Sequence, residues 1–304
     1  MTPRVTASDE RFAQVGELEL CWQEFGEQGN PPLLMVMGLG AQMILWPDEM
    51  CEMIAARGFR VIRFDNRDAG RSTILEDAPT GTVPRALGGE IEPGSYILSD
   101  MAADAAGLLD ALGIEAAHVV GASLGGMIAQ TLAVEHPQRV MSLASIMSTT
   151  GEPSVGHPTQ AGLEALTTQP PRDRDGYVDA LIGARRKIGS PGFPFDEERS
   201  RRIAALGWDR GYHPKGTVRQ TIAIIGSGDR TERLARIAVP TVVIHGEVDP
   251  LIDVSGGRAT AAAIPGAKLV VIPGMGHDFP AGVWERVAKE IAENAGRVQA
   301  VSAT

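Results

Sequence analysis

Cysteine is scarce in this 304-residue sequence, which contains only Cys21 and Cys51. Two cysteines do not make a disulfide framework or a metal site, so we interpret both as reduced thiols. The sequence also lacks the His-Glu-x-x-His, Cys-x-x-Cys and EF-hand patterns that bind zinc, carry redox chemistry or hold calcium. We therefore expect no metal and no cofactor.

Positive charge is scarce as well, since 28 Lys and Arg residues against 38 Asp and Glu residues give a formal net charge of −10. Proteins bind nucleic acids mainly through cationic side chains that displace counterions. The composition therefore predicts no nucleic-acid partner.

Long apolar runs are missing. The longest near-continuous one, residues 33–41, is less than half of the roughly 20 residues that a membrane-spanning helix needs. Residues 1–12 include several charged side chains and lack the apolar segment of a secretory signal. We expect a soluble, cytoplasmic protein with no membrane span, and no pattern indicates its oligomeric state.

Short apolar or β-branched runs alternate with segments of helical periodicity. Strands are predicted at residues 18–22, 33–37, 59–64, 118–120, 140–147, 241–244 and 269–272. Helices are predicted at residues 47–57, 99–112, 125–134 and 280–294. This alternation favours an α/β fold, with a mostly parallel central sheet flanked by helices.

The alternation breaks between residues 149 and 236, which are rich in charge and contain no convincing strand. Helices are predicted there at residues 176–188, 196–205 and 214–225. The sequence therefore predicts an α/β core formed by residues 1–148 and 237–304. Residues 149–236 would form a mostly helical insertion between two strands of the sheet.

A Gly-x-Ser-x-Gly motif at residues 121–125 follows a predicted strand and leads at once into a predicted helix. Exposing a serine hydroxyl at the tip of a strand needs a sharp turn, and the two glycines remove side chains that would collide there. The sequence therefore predicts Ser123 as a nucleophile.

A serine hydroxyl needs a general base, and histidine is the usual one. His277 is the candidate because it lies in a glycine-rich loop between the last predicted strand and the last predicted helix. His118 and His245 lie at strand ends, and we interpret them as structural. His157 and His213 fall in the insertion, where we expect surface positions and leave a substrate contact open.

The base needs an acid to orient it, and the segment after the next-to-last predicted strand offers three. Asp249 is the candidate because open α/β sheets place their sites at the carboxyl ends of strands. Glu247 and Asp253 are its rivals. The chain order Ser123, Asp249, His277 is the order typical of a serine at such a strand-to-helix turn.

An anionic oxygen formed during the reaction needs two backbone N–H donors. Leu124, which follows the nucleophile, is one candidate, and Leu39 in the glycine-rich loop after the strand at 33–37 is the other. A turn selected only for its dihedral angles is the alternative for that loop. A phosphate loop is excluded because the Gly-x-Gly-x-x-Gly pattern and the P-loop lysine are absent.

Together these segments resemble the α/β-hydrolase superfamily over nearly the whole chain. Within it, the sequence is similar to aclacinomycin methylesterase-type hydrolases at Trp46-Pro47-Asp48-Glu49, residues 65–72, Phe195-Asp196-Glu197, Gly228-Asp229-Arg230-Thr231 and Asp249-Pro250-Leu251. Leu124 departs from the methionine that many such hydrolases carry, which alters the pocket wall and leaves the N–H donor unchanged. We interpret residues 65–72 as a tight structural turn near the site.

The resemblance implies an α/β-hydrolase fold with a helical cap in place of the insertion. It also implies a catalytic triad of Ser123, Asp249 and His277. The leading hypothesis is a serine hydrolase that cleaves a small apolar carboxylic ester through an acyl-enzyme. Its alternatives are an acyltransferase or C–C bond hydrolase with the same triad, and a non-catalytic ligand receptor on the same fold. The resemblance alone suggests a methyl ester of a polyketide.

Overall fold

The computed structural model describes residues 6–168 and 171–301, with side chains through residue 298, and contains one eight-stranded sheet. The strands are β1 (Arg11–Val15), β2 (Leu18–Phe25), β3 (Pro32–Val36), β4 (Arg60–Phe64), β5 (Ala117–Ala122), β6 (Val140–Ile146), β7 (Thr241–Gly246) and β8 (Lys268–Ile272). Their order across the sheet is β1-β2-β4-β3-β5-β6-β7-β8. The first two contacts, β1 with β2 and β2 with β4, are antiparallel, and all the others are parallel.

The helices are α1 (Asp48–Ala55), α2 (Val83–Leu87), α3 (Leu98–Ala111), α4 (Leu124–Glu135), α5 (Gln160–Thr167), α6 (Arg174–Ile188), α7 (Glu197–Arg210), α8 (Pro214–Ser227), α9 (Thr231–Leu234), α10 (Val254–Ala263) and α11 (Trp284–Val301). Helices α5 to α9 all lie between β6 and β7, and we refer to these five helices as the cap. The division of the chain at residues 148/149 and 236/237 stays a prediction.

The central strands are covered by helices on both faces. Every residue of β5 and of β7 is buried. Because side chains alternate along a strand, Val119 packs with the side chains of α3 and α4, whereas Val120 packs with those of α1 and α11. Burial on both faces explains why these strands are continuous apolar runs rather than alternating ones.

The parallel arrangement brings the carboxyl ends of β3, β5, β7 and β8 to one edge of the sheet. The loops that follow these strands contain the predicted site residues, apart from Leu124, which begins helix α4. Leu39 follows β3, Ser123 follows β5, Asp249 follows β7 and His277 follows β8. The topology therefore gathers four distant parts of the chain at one place.

All the predicted strands and helices are present, with ends that differ by up to seven residues. The edge strand β1 and the helices α2, α5, α9 and α10 were not predicted. No helix within residues 6–168 and 171–301 combines the length and the apolar character that crossing a membrane requires. Both cysteines are free and buried, and burial raises the pKa of each thiol to about 12.

Candidate active site

A sharp turn between β5 and α4 carries Ser123. Its backbone adopts φ 56° and ψ −123°, a combination that residues with a Cβ seldom adopt. A Cβ on Gly121 would lie 2.0 Å from the carbonyl oxygen of Gly125, and a Cβ on Gly125 would lie 2.0 Å from that of Val36. Only glycine fits at these two positions, so the sequence motif and the backbone turn require each other.

Hydrogen bonds to neighbouring core segments hold the turn that carries Ser123. The Ser123 N–H donates to the Ile146 carbonyl oxygen at 2.9 Å, and the Ser123 carbonyl oxygen accepts from the Ser148 hydroxyl at 2.9 Å. Leu124 is the first residue of α4, where helix N–H groups have no partner within the helix and the helix dipole favours negative charge. These features suit the Leu124 N–H to the role predicted for it.

A short hydrogen bond joins His277 to Asp249. The His277 Nδ1 donates to Asp249 Oδ2 at 2.7 Å, which leaves Nε2 as the ring nitrogen that can take a proton. The second carboxylate oxygen, Oδ1, accepts from the backbone N–H groups of Leu251 at 2.8 Å and Ile252 at 2.9 Å. The Asp249 carboxylate is therefore buried, fixed in orientation and aimed at the imidazole.

The rival acids lie elsewhere. Glu247 is exposed, and Asp253 is the N-cap of α10, where its side chain accepts from the Ser255 N–H at 2.9 Å. Of the three candidates, only Asp249 contacts His277.

His118 and His245 have contacts of a structural kind. His118 shares a hydrogen bond with the Ser142 hydroxyl at 2.9 Å, and burial lowers its pKa to about 4. His245 Nε2 donates to the Ile252 carbonyl oxygen at 2.8 Å and lies 3.5 Å from Asp249 Oδ2. Burial lowers the pKa of His245 despite the opposing charge of Asp249. A neutral His245 next to Asp249 leaves the carboxylate to His277.

The histidine loop is held from the cap side. The His277 N–H donates to the Ile188 carbonyl oxygen at 2.7 Å, and the Gly276 N–H donates to Ser190 Oγ at 2.8 Å. The Ser190 hydroxyl in turn donates to the Asp278 carboxylate. Because Ile188 ends α6, the position of the base depends on the cap.

No hydrogen bond joins the side chains of Ser123 and His277 in this structure, both of which lie in its described part. The Ser123 hydroxyl is partly exposed and makes no hydrogen bond with any residue in the described part of the chain. Such contacts are often long in free enzymes and tighten only when substrate binds. The catalytic roles of Ser123, Asp249 and His277 stay predictions.

The loop after β3, residues 37–40, packs against the serine turn. A Cβ on Gly38 would lie 3.1 Å from the Ser123 Cβ, so the loop backbone approaches the nucleophile closely. The Met37 carbonyl oxygen accepts from Asn66 Nδ2 at 2.9 Å, which fixes the start of the loop. Leu39, the second predicted donor to the oxyanion, follows two residues later.

Residues 65–72 form the predicted turn, and they also attach the cap to the core. Arg210 of α7 donates to Asp65 at 2.8 Å, and Arg219 of α8 binds Asp68 through two hydrogen bonds of 2.6 and 2.8 Å. All four charged side chains are buried. A signal of this is visible in the sequence, because acids that directly follow a buried strand need cationic partners if they are buried too.

Three aromatic residues on or next to helices α6 and α7 form a cluster. Tyr177, Trp208 and Tyr212 have ring centroids 4.8 to 5.6 Å apart. Trp208 and Tyr212 also line a surface groove of about 350 Å³ that no predicted catalytic residue lines. In the described ranges no three His, Cys, Asp or Glu side chains converge in a way that could hold a metal ion.

Comparison with known proteins agrees with this architecture. The family described as the alpha/beta hydrolase fold matches residues 31–280. The chain belongs to the α/β-hydrolase family. An α/β hydrolase carries its functional residues on the loops at the carboxyl edge of the sheet, which is where the serine turn and the His277–Asp249 pair lie.

Two relatives are methylesterases. The chain is 32% identical over 292 residues to rhodomycin D methylesterase DnrP of Streptomyces peucetius, covering 89% of this chain and 93% of that one. It is 33% identical over 302 residues to rhodomycin D methylesterase DauP of Streptomyces sp. strain C5, covering 92% and 96%. The predicted resemblance to methylesterase-type α/β hydrolases is confirmed. These relatives also support the prediction that the protein is a hydrolase.

Among solved structures, the enol-lactonase from Burkholderia xenovorans LB400 superposes with a TM-score of 0.67 at 24% identity, covering 93% of this chain and 99% of that one. At this level of identity the likeness concerns the fold alone. It confirms the predicted α/β-hydrolase fold, in which helices flank a mostly parallel sheet.

Proposed function

We propose that this protein is a serine hydrolase of carboxylic esters that works through an acyl-enzyme on Ser123. The observation that carries the proposal is the 2.7 Å hydrogen bond from His277 to the buried Asp249, at the same sheet edge as a serine held at φ 56°. A strained nucleophile, a base with a fixed tautomer and an acid that orients the base are the parts that ester cleavage needs.

In the proposed reaction the Ser123 Oγ attacks the ester carbonyl carbon while His277 Nε2 takes its proton. Asp249 stabilises the imidazolium through Nδ1–H, and the N–H groups of Leu39 and Leu124 donate to the oxygen that becomes negative. The imidazolium then protonates the leaving alcohol. Water, deprotonated by the same imidazole, cleaves the acyl-enzyme and restores the serine.

The proposed substrate is a small apolar ester. Both methylesterase relatives favour a methyl ester, in which the leaving group is methanol and the acid part carries the features that are recognised. The sequence resemblance suggests a polyketide as the acid part, and the two relatives are named for rhodomycin D.

The test is hydrolysis of a panel of esters that varies the acyl and alcohol parts, with the wild type, Ser123→Ala and Ser145→Ala compared. Ser145 is a buried serine on the neighbouring strand β6 and serves as the matched control. We expect the wild type and Ser145→Ala to release acid and alcohol, and Ser123→Ala to be inactive. Full activity of Ser123→Ala would refute the assignment.

The products distinguish the alternatives. A new ester formed when a competing alcohol is added would indicate an acyltransferase, and cleavage of a vinylogous diketone would indicate a C–C bond hydrolase. Ligand binding without any turnover by the folded wild type would indicate a receptor on the same fold.

A further inference from the structure

The side chain of Gln220 connects the cap to the loop that contains Leu39. Gln220 lies on α8, is completely buried and makes two hydrogen bonds to the core. Its Oε1 accepts from the Gly40 N–H at 2.8 Å, and its Nε2 donates to the Arg67 carbonyl oxygen at 2.8 Å. One side chain of the cap thus bridges the loop after β3 and the segment after β4.

Different partners hold the two ends of loop 37–40. Asn66 of the core binds the Met37 carbonyl oxygen at the start, and Gln220 of the cap binds the Gly40 N–H at the end. The Leu39 N–H lies between these two anchors. Because a catalytic group misplaced by about 1 Å can cost about 100-fold in rate, either anchor can influence the reaction without touching the substrate.

Helix α8 packs closely on this part of the core, which fixes where Gln220 can reach. A Cβ on Gly40 would lie 2.6 Å from Thr217 Oγ1, and Gly40 has a positive φ of 60°. A Cβ on Gly216 would lie 2.3 Å from the Asp68 carbonyl oxygen. Residues 216, 217 and 220 share one face of the helix, so the amide of Gln220 is placed by the same packing.

We propose that Gln220 is a positioning residue that acts through Gly40 to hold the Leu39 N–H where the oxyanion forms. The proposal rests on the proposed ester hydrolysis and gives a cap residue a share in stabilising the transition state. Loss of a whole oxyanion donor typically lowers kcat about 100- to 1,000-fold. A donor that is present and misaligned is expected to cost about 10- to 100-fold.

Three variants test it. Gln220→Met keeps a long side chain and removes both hydrogen bonds, and Gln220→Glu keeps an acceptor for the Gly40 N–H. Asn294→Leu is the matched control, because Asn294 is a buried amide that donates to the Leu143 and Pro240 carbonyl oxygens at 3.0 and 3.1 Å, near the amino end of β7. This substitution removes these two hydrogen bonds and the one that Asn294 Oδ1 accepts from Arg297 at 3.2 Å, all far from the loop.

We expect Gln220→Met to lower kcat about 10- to 100-fold with little change in KM. Its affinity for a trifluoromethyl ketone, which forms an anionic adduct with an activated serine, should fall by the same factor as kcat/KM. Gln220→Glu should recover much of the loss. Asn294→Leu should lower the melting temperature and leave kcat and inhibitor affinity unchanged. If Gln220→Met behaves like Asn294→Leu, the inference is wrong.

Failure of the proposed function would look different, since the wild type itself would then turn over no ester. In that case amide hydrogen exchange of residues 37–45 decides the inference. Faster exchange in Gln220→Met than in the wild type and in Asn294→Leu supports the anchoring of the loop by Gln220. Equal exchange in all three proteins overturns it.

Discussion

The serine turn and the two loops that surround it are held in different ways. Ser123 is fixed by glycines and by backbone contacts to β3 and β6, all within the core. The loop of His277 is bound by Ile188 and Ser190 from the cap side, and the loop of Leu39 is bound by Gln220 of α8. The core therefore builds the nucleophile alone, whereas the cap helps to position its partners.

Hydrogen bonds from the cap side thus contribute to the positions of the His277 loop and the Leu39 loop. In the proposed mechanism, the base and the oxyanion donor must be aligned with the serine at the moment of attack. Substitutions of the cap-side residues that bind these two loops should therefore lower kcat, while substitutions of comparable severity away from the site should affect stability alone. Substitutions in each region can separate the serine turn, which the core builds, from the two loops, which the cap helps to hold.

The largest effect is expected where the base is oriented. Asp249→Asn should lower kcat about 10,000-fold, because an amide does not hold the imidazole in the tautomer that accepts the serine proton. The fold should survive, since the asparagine oxygen can still accept from the N–H groups of Leu251 and Ile252. Steady-state kinetics on the best ester of the panel measures this.

Asp253→Asn is the control for that substitution. Asparagine caps helices about as well as aspartate, so stability and activity should both stay close to those of the wild type. Equal losses in the two variants would contradict the assignment of Asp249 as the orienting acid.

The next largest effect concerns the attachment of the cap. Arg219→Met should lower the free energy of unfolding by about 3–5 kcal/mol, because it leaves the buried Asp68 carboxylate without its cation. Arg201→Met, which removes an exposed ion pair with Asp179 in the same cap, should cost less than about 1 kcal/mol. Chemical denaturation compares the two, and equal losses would show that the buried pair does not anchor the cap.

The same ion pair gives a pH test. Burial alone would raise the pKa of Asp68, but hydrogen bonds from Arg219, the Leu75 N–H and Tyr96 hold it below its usual value. Its contribution to stability is therefore present above about pH 4 and is lost as the pH falls towards the lower pKa of the folded state. Below pH 4 the wild type should lose stability more steeply than Arg219→Met.

A histidine in the core should make the free energy of unfolding depend on pH in a different range. Burial lowers the pKa of His118 on β5 to about 4, so the folded protein keeps it neutral while the unfolded chain binds a proton near pH 6.5. Stability should fall as the pH drops from about 6.5 to about 4, by at most about 3 kcal/mol. The side chain of His118→Asn can still form a hydrogen bond with Ser142. In this variant the unfolded chain should bind one proton fewer over this pH range, so the free energy of unfolding should depend less steeply on pH. An unchanged slope would contradict a neutral buried His118.

The smallest effect is expected at the histidine loop. Ser190→Ala removes the acceptor of the Gly276 N–H and should lower kcat/KM about 10-fold through misplacement of His277. Ser227→Ala is matched to it, since Ser227 is a cap serine that accepts the Leu98 N–H at 2.9 Å away from the site. Both should cost about 1 kcal/mol of stability. A similar loss of activity in both variants would mean that the effect is general rather than local.

The sequence predicted the parts that depend on neighbours along the chain. The Gly-x-Ser-x-Gly turn is one such part, because the two glycines that its close backbone contacts require, Gly121 and Gly125, flank Ser123 in the sequence. The order of strands and helices is another, because apolar periodicity reports burial directly. Asp249 was preferred over Glu247 and Asp253 for its place at the end of a strand, and it is the acid that contacts His277.

The sequence did not reveal contacts between distant segments. The partners of Gln220 lie 180 and 153 residues away along the chain.

The edge strand β1 was missed because it is mostly exposed, so no apolar run identifies it. The sequence predicts the start of α3 at Ser99. In the structure the helix begins at Leu98, and the Asp100 side chain accepts a hydrogen bond from the Ile97 N–H. The last helix continues beyond the predicted residue 294 to Val301.

Covalent labelling with a fluorophosphonate, followed by mass spectrometry of the peptides, measures whether Ser123 is an activated nucleophile. A serine that is activated by His277 should form one adduct per chain, on the peptide that contains Ser123, and Ser123→Ala should remain unlabelled. An adduct on another residue, or a folded and unlabelled wild type that still hydrolyses esters, would contradict the account.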